Sequence, residues 1–208
     1  MSILNIAINE LAWDKNTGLL PVIVQDVTTR QVLMLAYMNR EALQSSLDSK
    51  QVTFYSRSRQ QQWVKGETSG NYLELVEIMA DCDSDTLLIL AKPTGPSCHR
   101  LTTSCFGTES APGIGLLAQL NNIIEQRFQQ RPEGSYTTRL FAEGTPRIAQ
   151  KVGEEGVELA LAAALNDKAG VIAEASDLIF HMLVLLQQCD VNLSDILTEL
   201  RQRMEKLH

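Results

Sequence analysis

Apolar and polar side chains alternate in short runs over the first hundred residues, then recur at helical spacing to the end of the chain. Leu19-Leu20-Pro21-Val22-Ile23-Val24-Gln25-Asp26-Val27 and Val32-Leu33-Met34-Leu35-Ala36-Tyr37 predict two strands paired around the polar turn Thr28-Thr29-Arg30-Gln31. Asn39 stands ahead of Leu43 and Leu47 and predicts a capped helix. Further strands are expected over 52–56, 72–79 and 86–91. From Phe106 to Gly113 the chain turns to Gly, Thr, Ser, Ala and Pro, the composition of a linker. Beyond it, 114–130 predicts a helix stopped by Arg131-Pro132-Glu133-Gly134. Thr145 and Pro146 predict an N-cap and first-turn pair opening a helix to about Leu165. Two more helices are expected over 169–189 and 194–206. The expected class is α+β, with a β-rich domain at 1–113 followed by an all-α helical-bundle domain at 114–208.

Composition narrows the function classes. At 208 residues, 44% hydrophobic and a net charge of −7, the chain reads as a soluble globular protein without the clustered Lys and Arg that nucleic-acid binding needs. Met1 to Ala12 lacks the basic start of a signal peptide, and the longest apolar run, Leu159 to Leu165, is too short to span a bilayer. No membrane partner is therefore expected. Four cysteines at irregular spacing suit metal ligands or free thiols better than a disulfide framework, and the cytoplasm is the expected compartment.

Three of those cysteines lie close to three aspartates: Asp81-Cys82-Asp83-Ser84-Asp85, then Cys98-His99 and Cys105. In an extended strand Asp81, Asp83 and Asp85 would line one face and Cys82 the other. Hard carboxylates suit Mg²⁺ and soft thiolates suit Zn²⁺. Three protein ligands plus a water is the catalytic zinc arrangement, whereas structural zinc has four protein ligands. A single cysteine is ordinarily a small buried hydrophobe and an Asp-rich turn is ordinarily solvated. The combination is what points to a hydrolytic two-metal site, and the N-terminal half is read as a metal-binding domain.

The helical half carries a second acidic set. At about 100° per residue, Glu154, Glu158 and Glu155 fall near about 0°, 40° and 100° on one arc. Glu174 and Asp177 lie one turn apart in the next helix, with His181 one turn further on. Like charges at these spacings repel, and Glu174 and Asp177 sit among Ala173, Ala175, Leu178, Ile179 and Phe180. A solvated helix face is the ordinary outcome for such a run. The apolar neighbours favour Mg²⁺ held between helices, with a polyphosphate on it. His181 reads as a satisfied core or supporting residue, and Cys189 as inert.

These segments resemble a known family. Leu20 to Asp26, Val32 to Asn39, Ser56-Arg57-Ser58-Arg59, Trp63-x-Lys65-Gly66-Glu67-Thr68-Ser69-Gly70-Asn71 and the Asp/Cys segments are similar to phosphoribosyl-AMP cyclohydrolase. Ser135-Tyr136-Thr137, Lys151-Val152-Gly153-Glu154-Glu155 and Glu174-x-x-Asp177 are similar to phosphoribosyl-ATP pyrophosphatase. Phe180 stands where that family often carries Tyr. The order is that of the fused bifunctional histidine-biosynthesis enzyme.

The resemblance implies hydrolysis of phosphoribosyl-ATP to phosphoribosyl-AMP and pyrophosphate, then hydrolytic opening of the adenine ring at N1–C6. It implies Zn²⁺ on Cys82, Cys98 and Cys105, in a homodimer where Cys82 comes from one subunit and the other two from its partner. It also implies Mg²⁺ on Asp81, Asp83 and Asp85, and Mg²⁺ on Glu154, Glu155, Glu158, Glu174 and Asp177. His99 is the candidate proton carrier, because zinc held by three thiolates is a weak Lewis acid and gains from a nearby base. Arg57, Arg59 and Lys65 resemble phosphate contacts, with Glu67, Thr68 and Ser69 also placed at the substrate. Trp63 stacks on the base or simply packs, and Lys151 is a phosphate clamp or an ion-pair partner. Two rivals remain at this level: a house-cleaning nucleoside triphosphate pyrophosphatase with a regulatory zinc domain, and a non-catalytic metal-binding module with a helical dimerisation domain.

Overall fold

The computed structural model describes residues 7–107, 111 and 113–206. The chain divides into two compact units, Met1–Gln119 and Leu120–His208. The expected linker falls partly on 108–110 and 112, outside the described residues.

In the first unit a four-stranded mixed sheet runs in the order β2-β1-β6-β5, formed by β1 (Leu20–Asp26), β2 (Val32–Met38), β5 (Leu73–Ala80) and β6 (Leu87–Pro93). β1 pairs antiparallel with β2, as the hairpin pattern predicts, and parallel with β6. Along β1 buried and half-buried residues alternate, so Leu20, Val22 and Val24 enter the core. Each such apolar side chain contributes roughly 1.5–3 kcal/mol when fully buried. Asn39 caps α1 (Arg40–Ser49) by accepting the Ala42 N–H at 2.9 Å. A second, two-stranded sheet pairs β3 (Thr53–Ser56) with β4 (Gln61–Val64), and Phe54 and Trp63 face each other across it at 5.1 Å. β4 was not expected, because Gln61-Gln62-Trp63-Val64 carries no alternating apolar pattern.

The strand expected through Asp85 ends earlier. β5 stops at Ala80, and residues 81–86 form a turn in which the Asp81 carboxylate accepts the backbone N–H groups of Asp85 and Thr86, both at 3.1 Å. Ser84 takes the left-handed conformation at φ 63°. An aspartate satisfying the backbone ahead of it is ordinary turn chemistry, so strand alternation is not what arranges these acids.

The second unit is helical. Its elements are α2 (Gly115–Gln130, which begins in the first unit), α3 (Tyr136–Glu143), α4 (Thr145–Ala164), α5 (Lys168–Gln188) and α6 (Leu193–Glu205). α3 was not expected; Ser135 caps it and Gly144 ends it after only two turns. Gly144 at φ 84° is also the N-cap of α4, and no side chain caps that helix, so Thr145 is its first residue rather than its cap. Ile124, Leu140, Phe141, Ile148, Leu183 and Val184 form the core. At 21 residues α5 is long and apolar enough, by length and composition, to cross a membrane, which corrects the estimate from Leu159–Leu165. Two acids and a histidine interrupt its middle, an arrangement costly in lipid.

Candidate active sites

In the first unit the turn after β4 and the loop after β6 enclose a pocket of about 630 Å³. Cys98 and Cys105 both line it, together with His99. Their loop is tied down locally: Cys98 N–H donates to Thr102 O at 3.1 Å, and Leu101 takes φ 63°. Cys105 N–H donates to Leu33 O at 2.8 Å and the Ser104 hydroxyl to Val32 O at 2.8 Å, pinning the loop's end to β2. The backbone N–H of Arg100 and then the Thr102 hydroxyl lower the Cys98 thiol below its ordinary value. Burial, then the charge of Cys98, push the Cys105 thiol up. His99 is exposed, with Nδ1 3.9 Å from the Cys98 sulfur.

The other side of the pocket holds Arg59, Trp63 and Lys65 from the β3–β4 hairpin and its exit. Glu67, Thr68 and Ser69 follow on the same wall, with Glu67 accepting the Val64 N–H at 3.1 Å. Arg57 is not among the lining residues; its guanidinium lies over the Tyr37 ring at 3.9 Å. Ser97, also in the wall, buries a hydroxyl oxygen that has no protein partner.

Asp81, Asp83 and Asp85 do come together, each offering an oxygen within 4.8 Å of the others, and all three are exposed. Cys82 is exposed in the same turn. It does not line the pocket of Cys98 and Cys105, and among the described residues no group of three metal donors contains it. One chain therefore gathers two soft donors at the pocket and three hard ones at the turn. That donor chemistry fits zinc in the first place and magnesium in the second.

In the helical unit Glu155 and Glu158 of α4 and Glu174 of α5 bring carboxylate oxygens within 4.8 Å of one another. Desolvation and then the charges of Glu158 and Glu155 raise the Glu174 carboxyl above its ordinary value, with Asp177 adding to the effect. Three carboxylates this close could hold a cation between the two helices. Glu154 points elsewhere on α4, held by Lys151 at 2.8 Å and Gln150 at 2.7 Å. Lys151 also reaches Glu155 at 3.1 Å, and the hydrogen bonds it donates to Glu154 and Glu155 hold its amine well above the ordinary lysine value. The ion-pair alternative for Lys151 is the one this geometry contains.

His181 is 4% exposed and fully engaged. Its Nδ1 lies 2.9 Å from the Asp177 carbonyl and 3.6 Å from Glu155, and its Nε2 lies 3.0 Å from the Tyr136 hydroxyl. A carbonyl only accepts, so Nδ1 carries a proton toward Asp177, while Nε2 and the Tyr136 hydroxyl share a hydrogen bond. Tyr136 had not been singled out as an individual residue. Its position next to the Ser135 cap was the available signal.

A family model of phosphoribosyl-AMP cyclohydrolase matches residues 34–107, and one of phosphoribosyl-ATP pyrophosphohydrolase matches residues 117–204. Histidine biosynthesis bifunctional protein HisIE of Escherichia coli (strain K12) is 54% identical over 194 residues, which is 93% of this chain and 95% of that protein. Its Photobacterium profundum counterpart is 50% identical over 204 residues, 96% of this chain and 99% of that protein. With both models matched in tandem and such relatives covered over nearly their whole length, the chain belongs to the bifunctional histidine-biosynthesis family that joins a phosphoribosyl-AMP cyclohydrolase to a phosphoribosyl-ATP pyrophosphohydrolase.

Proposed function

We propose that this chain catalyses two consecutive hydrolyses on one nucleotide in the cytoplasm. Residues 114–208 release pyrophosphate from phosphoribosyl-ATP, and residues 1–113 add water at C6 of the resulting phosphoribosyl-AMP. In the second step the C6–N1 bond breaks, the water oxygen stays on C6 as a carboxamide oxygen, and N1 leaves with a proton. The observation that carries the reading is one chain of this family holding a thiol-lined pocket in one unit and a three-carboxylate cluster in the other.

The residues divide the work. Cys98 and Cys105, with Cys82 of a second copy in a homodimer, would hold Zn²⁺, and Asp81, Asp83 and Asp85 would hold Mg²⁺. Bound zinc supplies Lewis acidity that makes a water nucleophilic near neutral pH. His99 stands at the pocket mouth to carry the proton to the departing N1. Arg59 would bind phosphate, Trp63 would pack beside the base, and Glu67, Thr68 and Ser69 would orient the ribosyl groups. Arg57, packed over Tyr37 outside the pocket lining, is left out of the phosphate contacts. In the helical unit Glu155, Glu158 and Glu174 would hold Mg²⁺ against the polyphosphate, with Asp177 and Glu154 as the flanking acids. Lys151 pairs with both Glu154 and Glu155, and its hydrogen bond to Glu154 holds that carboxyl below its ordinary value.

The test is to supply the purified full chain, with zinc and magnesium, phosphoribosyl-ATP beside a panel of ordinary and non-canonical nucleoside triphosphates. Pyrophosphate release and ring-opened product should both appear with phosphoribosyl-ATP alone. Comparable turnover of the panel with no ring opening would replace this reading with a house-cleaning pyrophosphatase.

A further inference from the structure

Tyr136 and His181 form a linked pair beside the acid cluster of the helical unit, and neither belongs to its group of donors. Both nitrogens of the buried His181 ring are taken up: Nδ1 lies 2.9 Å from the Asp177 carbonyl and Nε2 lies 3.0 Å from the Tyr136 hydroxyl. The ring also meets Phe180 edge-on at 5.2 Å and Tyr136 edge-on at 6.1 Å, and Tyr136 in turn stacks on Phe180 at 6.2 Å. A buried ring tied at both nitrogens is held in one orientation.

That orientation sets His181 against one atom of the cluster. Nδ1 stands 3.6 Å from Oε1 of Glu155, a packing contact longer than a hydrogen bond. Lys151 Nζ reaches the same oxygen at 3.1 Å. Glu155 is itself buried, and it offers a carboxylate oxygen to the group it forms with Glu158 and Glu174. A glutamate left free samples many rotamers, whereas a metal site needs its oxygen in one place. Tyr136 brings a third helix to this task. It is the first residue of α3, which Ser135 caps by accepting the Thr138 N–H at 3.4 Å. Tyr136 is 43% exposed, so little of it serves core packing, and its hydroxyl is the group that reaches a buried partner.

We propose that Tyr136 and His181 are positioning residues of the pyrophosphohydrolase site: the Tyr136 hydroxyl fixes the His181 ring, and the ring keeps the Glu155 side chain in the rotamer that places its carboxylate beside Glu158 and Glu174 for a divalent cation. The proposal rests on the magnesium reading of that cluster and deepens it.

The experiment uses the full chain and its Tyr136→Phe, His181→Leu and Glu155→Gln variants, with folding checked by thermal unfolding. Mn²⁺ binding without substrate is followed by the loss of the free ion's paramagnetic resonance signal, and the site that Glu155→Gln removes defines the cation of the helical unit. Affinity at that site should fall by about tenfold or more in His181→Leu and by about threefold or more in Tyr136→Phe, which keeps the ring and loses only the hydroxyl. In pyrophosphate release the Mg²⁺ concentration giving half the maximal rate should rise by similar factors. At saturating Mg²⁺, kcat and KM for phosphoribosyl-ATP should both stay within about twofold of wild type in Tyr136→Phe. Wild-type Mn²⁺ affinity in a folded Tyr136→Phe chain overturns the proposal and leaves the pair as packing. A raised KM with that affinity unchanged overturns it in favour of a substrate contact. A Tyr136→Phe chain whose helical unit does not fold also overturns it, since the hydroxyl would then be structural. If His181→Leu alone fails to fold, Tyr136→Phe carries the same comparison. Wild type and Glu155→Gln binding Mn²⁺ alike would instead sink the underlying cation reading, a result distinct from a wild-type site indifferent to Tyr136.

Discussion

His99 and Cys98 are chain neighbours with different work to do, and their burial separates them: the sulfur is nearly enclosed, while the imidazole stands open to the pocket. His99→Ala should therefore keep its zinc and lose about 10²- to 10⁴-fold in ring-opening turnover, the range for a general acid–base group. Metal content and rate measured on the same preparation decide it: zinc loss would make His99 a ligand, and a normal rate would remove it from the proton path. In the helical unit Glu155 and Glu154 are adjacent in sequence and share Lys151, yet the first is buried in the acid cluster while the second is tied to Gln150. Glu155→Gln should lower pyrophosphate release by more than about 10²-fold and Glu154→Gln by no more than about tenfold, since removing a supporting partner costs less than removing a ligand. Equal losses in a pyrophosphate-release assay would put both acids on the metal. Residue types were legible at this scale because metal-binding and acid–base chemistry draws on few side chains. Which of three neighbouring glutamates faces inward depends on the rotation of α4 against α5, which a helical wheel without its partner helix does not determine.

The hairpin of β1 and β2, the capped α1 and four of the five later helices could be read from alternation, caps and breakers. The elements that escaped were short or polar: β4 is four residues held by pairing with β3, and α3 is eight residues between two glycines. The Asp triplet was found for a reason the structure replaces. A turn closed by Asp81 gathers the carboxylates, and strand alternation plays no part. The pairing of α4 with α5 has a consequence for stability. Glu174 has a folded pKa above its ordinary value, so the folded state holds that proton more tightly and gains from acid. That gain is lost as the pH rises through the folded pKa and the three carboxylates repel. In chelator, the melting temperature of the helical unit should fall as the pH rises above the ordinary glutamate range, and Mg²⁺ should restore it once the carboxylates are ionised and do little below. A melting temperature indifferent to both pH and Mg²⁺ would return these acids to an ordinary solvated helix face.

At the level of the whole chain, two family models side by side predict that the halves work apart. Expressed separately, residues 114–208 should release pyrophosphate and residues 1–113 should open the ring; two folded but inactive fragments would refute that division. Cys82 lies away from the pocket of Cys98 and Cys105, and the proposed sharing of the thiol set between two copies has a direct test. Cys82→Ser and Cys98→Ser should each be inactive in ring opening, while a mixed dimer of the two regains up to about one site in two, because one site collects both lesions and the other collects none. No recovery, in mixed dimers verified by mass, would place all the ligands within one chain. The parallel pairing of β1 with β6 bears on how this protein is made. Val22 finds its first-side partner in Ala36 soon after synthesis, but its other neighbour is Leu87. Until the ribosome has delivered that late strand, the central strand of the sheet keeps an open apolar edge, free to pair with the same edge of another nascent chain. Translation pace between residues 38 and 87 thus sets how long the growing chain is exposed to misassembly, and a pause there is more hazardous than one anywhere in the helices that follow.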